Sequence, residues 1–126
     1  MGGRGQNYKI IVRLTNFRNA YIPRHKLTDY ILNPSKSKSK AELFQSMGYN
    51  MTNHKRLEKD ILAKLRTNQA LKYQTNENGD TEYQVNMLLG ITKKKMIATG
   101  WIIRKGEQTP QFVTAYQNHK LKPKER

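Results

Sequence analysis

The sequence predicts an α+β domain in which N-terminal helices pack on one face of a four-stranded antiparallel β-meander. Three observations carry this. As far as Leu65 the apolar residues recur at helical spacing, and beyond Asn68 they alternate. The pair Asn78-Gly79 stands between two such extended runs, where it signals a hairpin.

Each element follows from local chemistry. Residues 1–7 are glycine-rich and expected to be mobile. Tyr8 to Leu14 reads as a short strand or extended arm. Pro23 opens a short helix carrying Leu27, Tyr30, Ile31 and Leu32, which ends near Asn33-Pro34. Ser35 to Lys40 alternates serine and lysine and is expected to be a flexible basic loop. Ser39 and Glu42 have capping-box spacing, so a helix is expected from Lys40, with Leu43, Phe44 and Met47 inward and Gly48 as its stop. Thr52 is the expected cap of a helix over about 53–67, with Leu57, Ile61, Leu62 and Leu65 as its apolar stripe. Strands are expected at 71–75, 81–91, 96–104 and 111–117, and residues 76–80 form the first turn. Residues 118–126 make a basic tail. With no repeat and no linker, residues 1–126 form one domain.

The charge narrows the function. Lys and Arg number 24 against nine acids, for a net charge of +15. A folded domain repels itself at that charge, so a polyanionic partner is expected, nucleic acid first. A basic surface kept for solubility is the plain alternative. A membrane partner is disfavoured, because the basic residues do not lie on one long amphipathic helix and no apolar run reaches about 18 residues. Neither a signal peptide nor a cysteine is present, which fits a cytoplasmic protein. Phage delivery or secretion as a toxin module is the alternative location.

Minimal turns between the strands place Ile103 opposite Phe112, Trp101 opposite Thr114 and Thr99 opposite Tyr116. One face then holds Trp101, Phe112 and Tyr116 among Thr99, Thr114, Gln84 and Asn86. The other holds Tyr83, Val85, Met87, Leu89, Ile91, Ala98, Ile102, Val113 and Ala115, and must meet the helices. The mixed face suits RNA: Trp101 and Phe112 would stack on bases, at about 1–3 kcal/mol each, and Thr99 and Asn86 would hold polar edges. Lys36, Lys38 and Lys40 on one side and Lys93, Lys94 and Lys95 on the other would gather the backbone. The alternative is that the aromatics are ordinary strand formers under the N-terminal arm.

No acid clusters with histidine at ligand spacing, and no phosphate-binding glycine loop occurs, so no metal and no cofactor is expected. RNA cleavage needs neither. The ribose 2′-hydroxyl is a built-in nucleophile, and Lys, Arg, His, Tyr or Thr can move protons and stabilise charge on phosphorus. The expected catalytic set is Lys40 and Arg104 on the phosphate, with Thr114 and Tyr116 orienting the reacting groups. Lys40 sits at a helix N-terminus, where the dipole disfavours a cation unless phosphate binds there. Arg104 could equally be a solvated edge charge. His25, His54 and His119 are the imidazoles, each with an ordinary structural role open to it.

Three stretches carry a family resemblance: residues 21–34 (Tyr-Ile-Pro through Leu-Asn-Pro), Lys40-Ala41-Glu42-Leu43-Phe44 with Met47-Gly48-Tyr49, and Trp101-Ile102-Ile103 with Pro110 to Tyr116. In order and spacing, over residues 20–117, they resemble a domain of phage and polymorphic-toxin proteins. That group is similar to the barnase–EndoU–colicin–RelE (BECR) class of nucleases. The resemblance implies N-terminal helices before an antiparallel meander, and a metal-independent ribonuclease toxin acting on tRNA or mRNA. It also implies Lys40, Trp101, Thr114 and Tyr116 as site positions, while an interaction protein for an acidic partner, such as an immunity protein or antitoxin, is a separate expectation from the charge. Ser-Lys repeats stand where relatives often carry glycines. A non-catalytic RNA- or DNA-binding phage accessory protein is the competing expectation.

Overall fold

Helix starts, strand pairing and hairpin lengths together build an α+β architecture, seen in a computed structural model that describes residues 11–68 and 70–120. The glycine-rich start, residues 1–7, and the end of the basic tail, residues 121–126, lie outside the described residues. Strand β1 (Ile11–Val12) is followed by a 3₁₀ turn at Phe17–Asn19. Pro23 fixes the entry to α1 (Arg24–Lys26), which runs on into a π-helical turn at Leu27–Ile31. There the Leu32 N–H reaches the Leu27 carbonyl at 2.9 Å. The wider turn buries Leu27, Ile31 and Leu32 while leaving Tyr30 half-buried.

Helix α2 (Lys38–Ser46) begins two residues earlier than the capping-box spacing predicts. Its N-cap is Ser37, whose side chain makes no capping bond. Gly48, at φ 102°, closes the helix. The Tyr49 N–H bonds the Phe44 carbonyl and the Gly48 N–H bonds that of Gln45, the paired bonds of a Schellman end. The next cap is Asn50, not Thr52. Its side chain accepts from the Thr52 and Asn53 N–H groups, while the Asn53 side-chain oxygen accepts from the Asn50 N–H. A 3₁₀ turn (Met51–Asn53) then feeds α3 (His54–Lys64), which buries Leu57 and Ile61.

The meander is β2 (Ala70–Thr75), β3 (Thr81–Leu89), β4 (Lys95–Ile103) and β5 (Gln111–Gln117). The sheet order is β1-β2-β3-β4-β5, all antiparallel, so the arm adds a short strand to the β2 edge. The helices cover one face. Leu57, Ile61, Phe44, Met47, Ile31 and Trp101 are among the residues of one continuous core.

The register corrects the face assignment made from minimal turns. Leu89 pairs with Lys95 across a five-residue connection, so odd residues of β3 share a face with odd residues of β4. Tyr83 pairs with Trp101, Val85 with Thr99 and Met87 with Ile97. A bulge between β4 and β5 then shifts the register, pairing Gly100 with Thr114 but Trp101 with Phe112. Through it β5 turns both Phe112 and Ala115 into the core. A one-residue slip exchanges the two faces of a strand, and that slip buries three residues assigned to RNA. Trp101 is 1% exposed, Phe112 0% and Thr99 0%. The Trp101 indole N–H donates to Thr99 Oγ1 at 2.8 Å, and Thr99 donates to the Val85 carbonyl at 2.7 Å. The Phe112 ring meets Trp101 edge-on, 5.4 Å between centroids. All three hold the core, and none can stack on or bond a base.

Candidate functional site

The outer face of the sheet carries what the register leaves outside. On β4 these include Ala98 and Ile102, expected on the helix face, and Gly100; the small pair Ala98 and Gly100 faces Tyr116 and Thr114 of β5 and Asn86 and Gln84 of β3. Small residues on the central strand let the flanking side chains meet above it. The Tyr116 hydroxyl donates to Gln84 Oε1 at 3.3 Å. The Gln84 amide donates to Asn86 Oδ1 at 2.8 Å, and Asn118 donates to the same oxygen at 3.1 Å. This rack buries Ala98 completely and leaves Tyr116 45% exposed.

Lys40 meets this rack at the sheet edge. It lies in the first turn of α2, and its ammonium crosses to β5 to donate to the Ala115 carbonyl at 2.9 Å. The nitrogen lies 5.9 Å from the centre of the Tyr116 ring and 6.0 Å from that of Tyr30. Lys26 approaches the Tyr30 ring at 6.0 Å as well. Such distances are the outer limit of a cation–π contact. Beside Tyr30 opens a groove of about 640 Å³, lined by His25, Lys26, Asp29, Asn33, Lys36 and Val113. The ion pairs among the described residues are Arg56–Asp60 and Arg104–Asp80. Lys26, Lys36 and Lys40 therefore face this groove and edge without a carboxylate paired to them.

The structure thus brings together some of the expected residues and separates others. Lys40, Tyr116, Thr114 and Asn86 share the outer face and its β5 edge, with Lys36 nearby and Lys38 exposed at the start of α2. Arg104 does not join them. It lies past the end of β4, 3.9 Å from Asp80, whose other oxygen accepts from the Lys105 N–H. Its partner is the β2–β3 turn, so its place in the catalytic set is withdrawn. Lys93, Lys94 and Lys95 lie at the opposite end of α2 from Lys40. Their loop is fixed by the Ile91 and Thr92 N–H groups bonding the Met47 carbonyl, and Lys94 Nζ donates to the Gly90 carbonyl. Sequence reasoning missed Tyr30, Lys26 and Asp29 as site residues, and treated His25 as one ordinary histidine among three. The helical spacing of 24–32 was legible, but its docking against the β5 edge was not.

Among the described residues no group of three or more His, Cys, Asp or Glu is placed to hold a metal ion, and no helix is long and apolar enough to cross a membrane.

Fold and site together define an α+β domain with helices on one sheet face and a lysine–tyrosine edge on the other. The family model described as Domain of unknown function (DUF6883) matches residues 13–119, and the chain belongs to that family. No curated protein and no solved structure matches it.

Proposed function

We propose that the protein is a metal-independent endoribonuclease of toxin type acting on tRNA or mRNA. One observation carries the reading. Lys40 is held at the β5 edge between the Tyr30 and Tyr116 rings, beside a groove in which Lys26, Lys36 and His25 stand with one carboxylate, Asp29. Three cations without paired carboxylates suit a bound phosphodiester, and the imidazole suits proton transfer next to it. The outer-face amides of Asn86 and Asn118 suit base edges or the 2′-hydroxyl.

The chemistry needs no further group. The ribose 2′-oxygen attacks phosphorus as His25 takes its proton, and the bond from phosphorus to the 5′-oxygen breaks. The 5′-oxygen leaves and takes its proton from solvent water, the 2′ proton stays on the His25 imidazole until it exchanges with solvent, and the phosphate closes to a 2′,3′-cyclic ester. Lys40 stabilises the added negative charge on the phosphoryl oxygens. Tyr116 and Thr114 orient the ribose. Lys40 has three N–H donors, and one goes to Ala115, which holds the ammonium in place before substrate arrives. The charge of +15 likewise suits an acidic immunity protein or antitoxin.

The test is purified protein with total RNA in EDTA. Cleaved RNA with cyclic phosphate ends is expected, with Lys40→Ala slower by about 10²–10³-fold and His25→Ala also slowed. Intact RNA bound in a salt-sensitive way would replace the nuclease by a binding module.

A further inference from the structure

Gly100 sits in the middle of β4, where glycine weakens a strand and often marks a close approach by something else. Its backbone does not require glycine, because its φ is not positive, unlike those of Gly48, Gly79, Gly90 and Gly106. The adjoining bulge does not require it either, since that backbone conformation is open to any residue. Nor does space forbid a side chain: an added Cβ would lie 3.5 Å from Thr114 Cγ2, an ordinary contact. What the missing side chain does create is a slot on the outer face, of about 200 Å³, lined by Glu82, Gln84, Gly100, Ile102, Thr114 and Tyr116.

We infer that this slot binds one unpaired nucleobase of the RNA, with guanine preferred. The inference rests on the RNA reading and specifies which base that site selects. The volume falls below the roughly 300 Å³ at which pockets for drug-sized ligands begin, so it admits one ring system and not a whole nucleotide. Its lining is mostly apolar, with the Tyr116 ring as one wall, which suits a flat aromatic base. Tyr116 also has the Lys40 ammonium 5.9 Å from its ring centre, so a base in the slot would bring its own phosphate toward that ammonium.

Glu82 supplies the selectivity. Among the described residues it is the acid on the outer face of β3, β4 and β5, and a carboxylate repels phosphate unless it meets donors. A carboxylate accepts two parallel N–H bonds. Guanine presents two adjacent N–H donors on its pairing edge, whereas adenine and cytosine present one amine and uracil one ring N–H. Asn76 donates to Glu82 Oε2 at 3.3 Å, and Glu82 is part of the lining of the slot.

The experiment uses short 2′-O-methyl oligouridylates, which lack the nucleophile, each with one central G, A or C, titrated in EDTA. The G oligonucleotide is expected to bind about tenfold more tightly than the others. Gly100→Leu should abolish that difference without lowering the melting temperature, and Gly100→Ala should weaken it. Glu82→Gln should remove the preference for G but keep binding. Equal affinity for all three, or a preference untouched by Gly100→Leu, overturns the slot while leaving the RNA reading standing. Absence of binding to any oligonucleotide overturns the RNA reading, and the slot with it.

Discussion

Tyr49 joins three segments through one oxygen. Its hydroxyl donates to Asp60 Oδ2 on α3 at 2.6 Å and accepts from the Gly90 N–H after β3 at 3.1 Å, while its ring packs near Phe44. Burial first, and the Asp60 carboxylate second, push its pKa above the usual tyrosine range. An unfolded tyrosine loses its proton from about pH 10. Above that pH the native state binds more protons than the unfolded one, so stability falls as pH rises. Below about pH 10 both states are protonated and this group adds no pH dependence. Tyr49→Phe should cost about 1–3 kcal/mol in urea denaturation at neutral pH, because the Gly90 N–H and Asp60 lose their partner. The same variant should show a shallower fall in stability above pH 10. The residue scale also separates structural from functional rings. Trp101 satisfies its N–H inside the core, whereas Tyr116 keeps nearly half its surface in solvent.

At the scale of elements, the caps decide where helices stop and therefore where loops can reach. The Schellman end at Gly48 leads into the Asn50 capping box two residues later, so α2 and α3 are joined by a tight corner. Asn50→Ala should lower stability by about 1 kcal/mol, read from denaturant midpoints. Thr52→Ala should cost only a few tenths of that, because the Thr52 hydroxyl merely donates to Asn50 Oδ1. The reverse ranking would reinstate Thr52 as the cap. The π-helical turn at 27–31 matters in the same way. It presents Tyr30 to Lys26 and Lys40 while Leu27 and Ile31 stay buried.

Over the whole molecule, charge and sheet architecture meet at one edge. Strand β5 ends the sheet, and its outer backbone is covered at Phe112 by Tyr21 and at Ala115 by Lys40. The edge therefore offers lysines and rings in place of an open ladder. If Lys26, Lys36 and Lys40 each neutralise one phosphate of a single strand, they contribute about −2 to the slope of log affinity against log salt. Each Lys→Ala variant should make the slope shallower by about 0.7, measured by titration over a salt series. A triple variant with an unchanged slope would move the RNA to another surface, such as Lys93 to Lys95.

The helix stripe Leu57, Ile61 and Leu65, the limits of β5 and the turn at 76–80 could be read from the residues alone. Periodicity and turn chemistry act within a few neighbours and need no tertiary context. What the chain could not state locally was which side of β4 faces inward. That depended on a five-residue connection after Leu89 and on the bulge beside Gly100, and either one flips a strand by a single residue. The same limit hid the site. His25, Tyr30, Lys40 and Tyr116 lie on α1, the π-helical turn, α2 and β5, and only the docking of the helices against the β5 edge makes them neighbours.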